Sequence, residues 1–446
     1  MRTIHELGAA ECREHLVAGH AGVSDFYDRM LAFAADAQGR FQLFASLDER
    51  VVRLQAQHRQ AERGRGEPPG RLWGVPVAVK DIVDTVDFPT AFGSPIHEGR
   101  YAVVDATVVR RLRDAGAVIF GKTVTTEFAT THPGPTRNPH ALNRTPGGSS
   151  SGSAAAVAAG VVPLAIGTQT NGSVLRPASF CGVYGFVPSR GTLPLSGVLV
   201  QAPSLDRVGV FARNVDDLAL ATEIMSGDDG TDPVSRGLPP RQLVAVAATP
   251  PPVEPRFCFV RTPWWNEIDA EAREAYEAFV DLLGDRVTQV ELPEIVSQAR
   301  DWLQTVNEAE LAFALQREYH QHPQALSEAL RGRIGRAMTL PVIDYLTARD
   351  RIEHVAGAFD EHFERFDAIL APAALGPAPL GLTSTGDPVM QTVWSFAGLP
   401  AVSMPLLRLE GGLPLGVQAV GALHQDGRLL RAVRWLVGEF VKRSQS

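Results

Sequence analysis

Apolar residues recur at intervals of three and four through VSDFYDRMLAFAADAQ (residues 23–38) and LDERVVRLQAQHRQAERG (47–64). That period places one stripe of each segment on a core, so residues 1–70 are expected to form a helical N-terminal region. The pattern changes at PPGRLWGVPVAVKD (68–81), where two prolines and a glycine precede a short apolar run. Such a run reads as a buried strand. ATVVRRLRDAGAVIFGKT (106–123) predicts a helix stopped at Gly116 and then the strand AVIF. GSAAAVAAG (152–160) predicts a helix closed by Gly160, and VVPLAIGT (161–168) a further strand. Strands alternating with helices argue for an α/β chain with a central mixed, twisted sheet covered by helices on both faces.

Prolines cluster in GDDGTDPVSRGLPPRQLVAVAATPPPVEPR (227–256), which reads as a long surface connection. RFCFVRTPWW (256–265) then resembles a strand, 269–283 a helix, and 295–367 a mostly helical stretch. FDAILAPAAL (366–375) and GLPLGVQAVGAL (412–423) return to strands. The expected organisation is one large domain in four parts. These are a helical region (1–70), a chemistry-bearing core (71–226), a Pro-rich connection with a helical pocket region (227–368), and closing strands with a helix (369–446).

Composition narrows the function classes. The 446 residues are 45% hydrophobic and 21% charged, ordinary for a globular protein, with a net charge of −8 and no dominant basic run. Nucleic acid and anionic membranes are therefore not expected partners. No apolar stretch reaches the roughly 18 residues of a membrane span, and the N-terminus lacks a signal-peptide pattern. Cys12, Cys181 and Cys258 are too few and too scattered for a disulfide framework or a zinc site, which points to reduced thiols in a cytoplasmic protein. No metal or other cofactor is expected, and base rates make a homodimer the default assembly.

Three segments bear chemistry. PGGSSSGSAAAVAAG (146–160) is by itself a Gly/Ser turn opening a helix, and no GK[ST] follows to make it a phosphate loop. GSSSG also matches GxSxG formally, without the preceding strand that a nucleophile elbow requires. Lys80 ends an apolar strand. It either pairs with Asp81 or Asp84, or is desolvated enough to act as a neutral base. GTQTNGSVLRPASFCGVYGF (167–186) holds small residues whose backbone N–H groups could converge on one point, as an oxyanion requires. A simple loop turn is the alternative.

Together, and in this order, VPVAVKDIVDT, GKTVTTEFA, PGGSSSGSAAAVAAG, PLAIGTQTNGSV and RPASFCGVYGF resemble the amidase signature family of serine hydrolases. The intervals between Lys80 and Ser149 and between Ser149 and Ser173 are similar to that family's. So, less strongly, are TSTGDP and GLPLGVQAVG near the C-terminus. The resemblance implies a Ser–cis-Ser–Lys triad, with Ser173 as nucleophile, Ser149 as bridging serine behind a cis peptide bond, and Lys80 as base. It also implies an oxyanion hole from the backbone N–H groups of Thr170, Asn171, Gly172 and Ser173. Ser150, Thr168, Gln169 and Arg176 are the expected substrate-binding residues.

The loop departs from the common pattern. Ser151 stands where glycine is usual, Gln169 replaces an aspartate, Asn171 a glycine, and the arginine falls three residues after the nucleophile instead of two. This variant resembles the malonamidase branch, whose arginine binds a substrate carboxylate. Arg176 then either clamps an acid group or braces its loop. Lys122 is expected in a structural ion pair, and His320 and His322 on a surface loop. Trp264, Trp265 and the apolar residues of 300–345 are expected in core packing, with a pocket role as the alternative. The expected activity is hydrolysis of small amides with water, extending to esters, anilides and carbamates (urethanes), whether the substrates are neutral or half-amides of dicarboxylic acids. An amidotransferase subunit with a partner chain, or a non-catalytic binding protein, are the rival readings.

Overall fold

The computed structural model describes residues 3–445, in which eleven strands form one sheet. They are β1 (Phe44–Ser46), β2 (Pro76–Lys80), β3 (Val118–Thr123), β4 (Leu164–Gln169), β5 (Tyr184–Val187), β6 (Arg207–Ala212), β7 (Phe257–Val260), β8 (Val287–Val290), β9 (Ala368–Pro372), β10 (Ala401–Arg408) and β11 (Pro414–Val420). The order across the sheet is β1-β3-β2-β4-β6-β5-β10-β11-β9-β7-β8. β2 runs parallel to both β3 and β4, β7 parallel to β8 and β9, and the remaining pairs are antiparallel. All four expected parts of the chain add strands to this single sheet, so the α/β class holds and the parts are not separate modules.

Every residue of β2, β3 and β4 is buried. That explains their unbroken apolar runs: both faces are covered, so no polar alternation is needed. The helix Thr107–Asp114 stops just ahead of Gly116. The helix Ser151–Ala158 stops ahead of Gly160, whose φ of +81° turns the chain out of the helix. The N-terminal helix Ala9–Val17 is tied to the core by Asp217, which is itself buried and accepts the backbone N–H groups of Ala9 and Ala10 at 2.7 and 3.1 Å. A carboxylate at a helix N-terminus satisfies N–H groups that have no partner within the helix.

The connection 227–256 is not wholly irregular. Leu243–Ala248 forms a helix packed on the C-terminal helix Asp426–Gln445 and on the helix Val215–Met225. Its six residues, LVAVAA, are apolar enough to bury Leu243 and Ala247. The helical N-terminal region likewise contributes an edge strand, β1, too short to carry a period. No helix among the described residues is long and apolar enough to cross a membrane. The three cysteines are buried free thiols.

Parallel pairing positions the chemistry. Val79 of β2 lies opposite Ile166 of β4, so the carboxyl ends of both strands open on the same edge of the sheet. The crevice outside such strand ends is where open α/β sheets bind ligands.

Candidate active site

Lys80 is the last residue of β2 and is fully buried. Its Nζ lies 2.6 Å from Ser149 Oγ and 2.8 Å from Thr168 Oγ1. The carboxylates that could have paired with it serve other cations. Asp81 contacts Lys122 Nζ at 3.2 Å, and Asp84 takes both terminal nitrogens of Arg100 at 2.7 and 3.0 Å. Burial holds the Lys80 ammonium well below the usual lysine range, with the charge of Asp206 opposing the shift. A lysine in this position gives up its proton far more readily than one in water.

The Gly/Ser run that carries Ser149 is sewn to the sheet by its own hydroxyls. Ser150 Oγ donates to the Thr168 carbonyl at 3.2 Å and accepts the Thr168 N–H at 3.3 Å. Ser151 Oγ donates to the Gly147 carbonyl at 2.8 Å, and Ser153 Oγ to the Ile166 carbonyl at 2.9 Å. The peptide bond between Gly148 and Ser149 is cis. A run that reads as flexible by composition is thus held at both strand ends.

The loop Thr170–Ser173 joins β4 to the helix Leu175–Cys181. Gln169 clamps it from beneath: Oε1 accepts the N–H groups of Val174 and Leu175 at 2.9 and 3.1 Å, while Nε2 donates to Ser395 Oγ at 3.0 Å. The Asn171 side chain engages the Thr392 hydroxyl, and its carbonyl accepts the Ser395 hydroxyl. Gly172 has no room for a side chain, since a Cβ would come within 2.7 Å of Gln391 Oε1 and 2.8 Å of Pro388 Cβ. The backbone N–H groups of Asn171, Gly172 and Ser173 donate to no described residue. Three successive N–H groups without a protein acceptor at the cavity edge are available to a ligand oxygen.

These residues open into a cavity of about 1050 Å³, lined by Thr170, Asn171, Gly172, Ser173 and Arg176 together with the helices Ala299–Ala314 and Glu328–Ala337. Arg176 is 4% exposed and donates through Nη2 to the Gly148 carbonyl at 2.6 Å and to Thr385 Oγ1 at 3.2 Å. Its Nε and Nη1 have no acceptor. Burial lowers its pKa to about 10, which leaves it cationic at neutral pH.

Other expected residues lie around the cavity as follows. Ser150, Thr168 and Gln169, like Lys80 and Ser149, lie behind the residues that line the cavity. Ser150 and Gln169 spend their side chains on the backbone of the two loops, and Thr168 on Lys80. Trp264 and Trp265 are buried away from the cavity, Trp265 edge-on to Phe259. His320 lies in the last turn of the helix Gln316–Gln321 and not on a loop. In the 300–345 region the cavity wall is mainly polar. Arg300, Gln304, Asn307 and Glu308 face it with Leu303, whereas Val306 and Leu311 point into the core.

Asp206 was not singled out by the sequence. It precedes β6 and is 6% exposed; Oδ1 accepts the Thr170 hydroxyl at 2.5 Å, and Oδ2 the N–H groups of Gln201 and Ala202 at 2.7 and 3.0 Å. Burial pushes its pKa up to about 6. Its charge is the one that opposes the desolvation of Lys80. Asp206→Asn removes that charge, so Lys80 should lose its proton at still lower pH, and the acid limb of a kcat/KM profile should move to lower pH. A profile unchanged in position would show that the two groups do not communicate.

An amidase family model matches residues 26–430. The glutamyl-tRNA(Gln) amidotransferase A-subunit of Anaeromyxobacter sp. (strain K) is 34% identical, with 97% of this chain and 96% of the relative covered. A solved structure described as part of a vestigial protein complex revealing the evolutionary origins of an s-triazine catabolic enzyme superposes with a TM-score of 0.90. It is 30% identical, and 97% and 98% of the two chains are covered. Native peptide amidase from Stenotrophomonas maltophilia superposes with a TM-score of 0.83 at 25% identity, covering 99% of this chain and 97% of its own. By its family match, its full-length relatives and its fold, the chain belongs to the amidase family.

Proposed function

We propose that the protein is a serine amidohydrolase in which Ser173 attacks the acyl carbon, Ser149 relays the proton and Lys80 receives it. The observation that carries this reading is the contact of 2.6 Å between a fully buried lysine and Ser149, beside a loop with three free backbone donors. A neutral Lys80 amine donates to Thr168 and keeps its lone pair for the Ser149 proton. Ser149 can then take the proton of Ser173 as the new C–O bond forms. The free N–H groups of Asn171, Gly172 and Ser173 hold the oxyanion. Ser149 returns the proton to the departing nitrogen as the C–N bond breaks, and water cleaves the acyl-enzyme by the reverse path.

The same chemistry needs only an acyl carbon and a leaving group that can be protonated, so anilides, esters and carbamates fall within its reach. The unpaired Nη1 of Arg176 supports half-amides of dicarboxylic acids as substrates, because a carboxylate beside the scissile bond would give this cation an acceptor. The contact of Arg176 with the Gly148 carbonyl gives it a bracing role as well. Arg176→Ala should therefore slow all substrates and slow malonamate-like half-amides further. Equal slowing of half-amides and neutral amides would leave bracing as its whole role.

A fluorophosphonate probe tests the central reading. Mass spectrometry should locate the adduct on Ser173 in the folded protein; labelling elsewhere, or none in a protein that turns over amides, would overturn it. A second reading, one chain of a multi-chain amidotransferase, is favoured by the full-length likeness to the glutamyl-tRNA(Gln) amidotransferase A-subunits. Glutamine hydrolysis that appears only on adding a second chain would support it over the free-standing amidohydrolase.

A further inference from the structure

A backbone N–H can serve an oxyanion only if its peptide plane faces the right way, and the hydrogen bonds on the far side of that plane decide this. The peptide group joining Asn171 to Gly172 is trans. In a planar trans peptide the C=O and the N–H point in opposite directions, so whatever holds the Asn171 carbonyl also aims the Gly172 N–H. The carbonyl accepts the hydroxyl proton of Ser395, which is 1% exposed on the helix Thr392–Phe396. The Gly172 N–H donates to no described residue, and Gly172 lines the cavity.

The other contact of Ser395 fixes where its proton goes. Gln169 Oε1 accepts the N–H groups of Val174 and Leu175, so the opposite atom of that amide is the nitrogen, which donates to Ser395 Oγ at 3.0 Å. A hydroxyl that receives an N–H keeps its single proton for an acceptor, here the Asn171 carbonyl. The helix that carries Ser395 is anchored on both sides of it. Trp394 packs on Phe359 with ring centroids 5.3 Å apart, and Phe396 stacks on Trp302 at 6.2 Å. Thr392 of the same helix engages the Asn171 side chain.

We propose that Ser395 is a positioning residue for the reaction. It holds the Asn171 carbonyl so that the Gly172 N–H stays turned toward the oxyanion, and Gln169 sets the direction of its proton. This rests on the amidohydrolase reading above and adds to it a side chain more than two hundred positions from the nucleophile. The device depends on an amide at Gln169. A carboxylate of the same length could accept the Val174 and Leu175 N–H groups, but it has no N–H for Ser395. The serine proton would turn to the carboxylate and release the Asn171 carbonyl. The glutamine that departs from the usual aspartate thus has a use in this chain.

Ser395→Ala removes the hydroxyl, and Gln169→Glu redirects its proton. Each should lower kcat by about 10²-fold, the scale of one lost oxyanion donor, with KM nearly unchanged. The rate at which a fluorophosphonate labels Ser173 should fall in step, since the phosphonyl oxygen uses the same donors. Affinity for 1,1,1-trifluoro-2-heptanone, whose adduct with a serine carries an oxyanion, should fall by a similar factor. Ser395→Cys is close to the parent in size and donates only weakly, so it should stay at least about tenfold slower and keeps the test open if the alanine variant folds poorly. Both changes act on one peptide, so the double variant should be about as slow as the slower single one. Parental labelling rate and kcat in folded Ser395→Ala or Ser395→Cys overturn the proposal. So does a loss confined to KM with the trifluoromethyl ketone bound as before, or a double variant whose losses multiply. If the parent protein itself turns over no amide and takes no label on Ser173, it is the amidohydrolase reading that has failed.

Discussion

Ser173→Ala should abolish hydrolysis, lowering kcat by on the order of 10⁶-fold, as expected when the nucleophile of a cooperating set is removed. The fold should be unaffected. The Ser173 hydroxyl makes no hydrogen bond to a described residue, so its loss leaves no buried partner unsatisfied. The melting temperature should therefore stay within about 2 °C of the parent, in line with small effects at sites without packing or polar partners. Retention of more than about one part in a thousand of kcat, measured on protein free of parent enzyme, would remove Ser173 from the nucleophile role. Binding of a substrate to the alanine variant should persist, because the cavity and the free N–H groups of Asn171 and Gly172 remain.

Lys80→Met should produce the second large loss, about 10⁴-fold or more in kcat. Methionine fits the length of the buried stem without creating a large void, so the loss can be assigned to the amine. The wild-type profile carries its own signature. Only neutral Lys80 can accept a proton, so kcat/KM should rise with pH and level off once Lys80 is deprotonated. Burial lowers that pKa, so the plateau should begin far below the pH at which an exposed lysine would titrate. The residual activity of the methionine variant should lack this limb. Folding stability carries the same sign: the unfolded chain binds the lysine proton more tightly than the folded one, so stability rises with pH between the two pKa values. Circular dichroism distinguishes a folded, inactive variant from a misfolded one, and a wild-type rate in the folded variant would exclude Lys80 as the base.

The elements that carry the candidate site were legible because they are local, while the proposed triad came from the resemblance of the motifs to a known family. Lys80 ends a run of apolar residues that reads as a buried strand. Ser149 and Ser173 lie in small-residue turns, each followed within a few positions by a helix. Turn chemistry and strand patterning depend on neighbours in sequence, so they survive in the bare chain. The contacts of Gln169, Ser150 and Thr168 were not legible. Their residue types suit substrate binding, and only the approach of the two loops turns them inward toward backbone groups and Lys80. Asp206 was invisible for a related reason. An aspartate ahead of a strand is ordinary until the antiparallel pairing of β4 with β6 sets it against Thr170.

The sequence by itself determined the alternation of buried strands and helices and the α/β class, and the resemblance of its motifs marked the three segments that bear the proposed nucleophile, relay and base. Apolar periodicity and glycine placement are short-range properties, and each element reports its own burial. The tertiary structure decided which charges meet. It gave Asp81 to Lys122 and Asp84 to Arg100, and left Lys80 among hydroxyls. It also lined the cavity with Arg300, Arg333 and Arg336 from helices more than a hundred residues beyond Ser173. Desolvation and ion pairing depend on what the whole chain packs around a group, and no local pattern of residues contains that information.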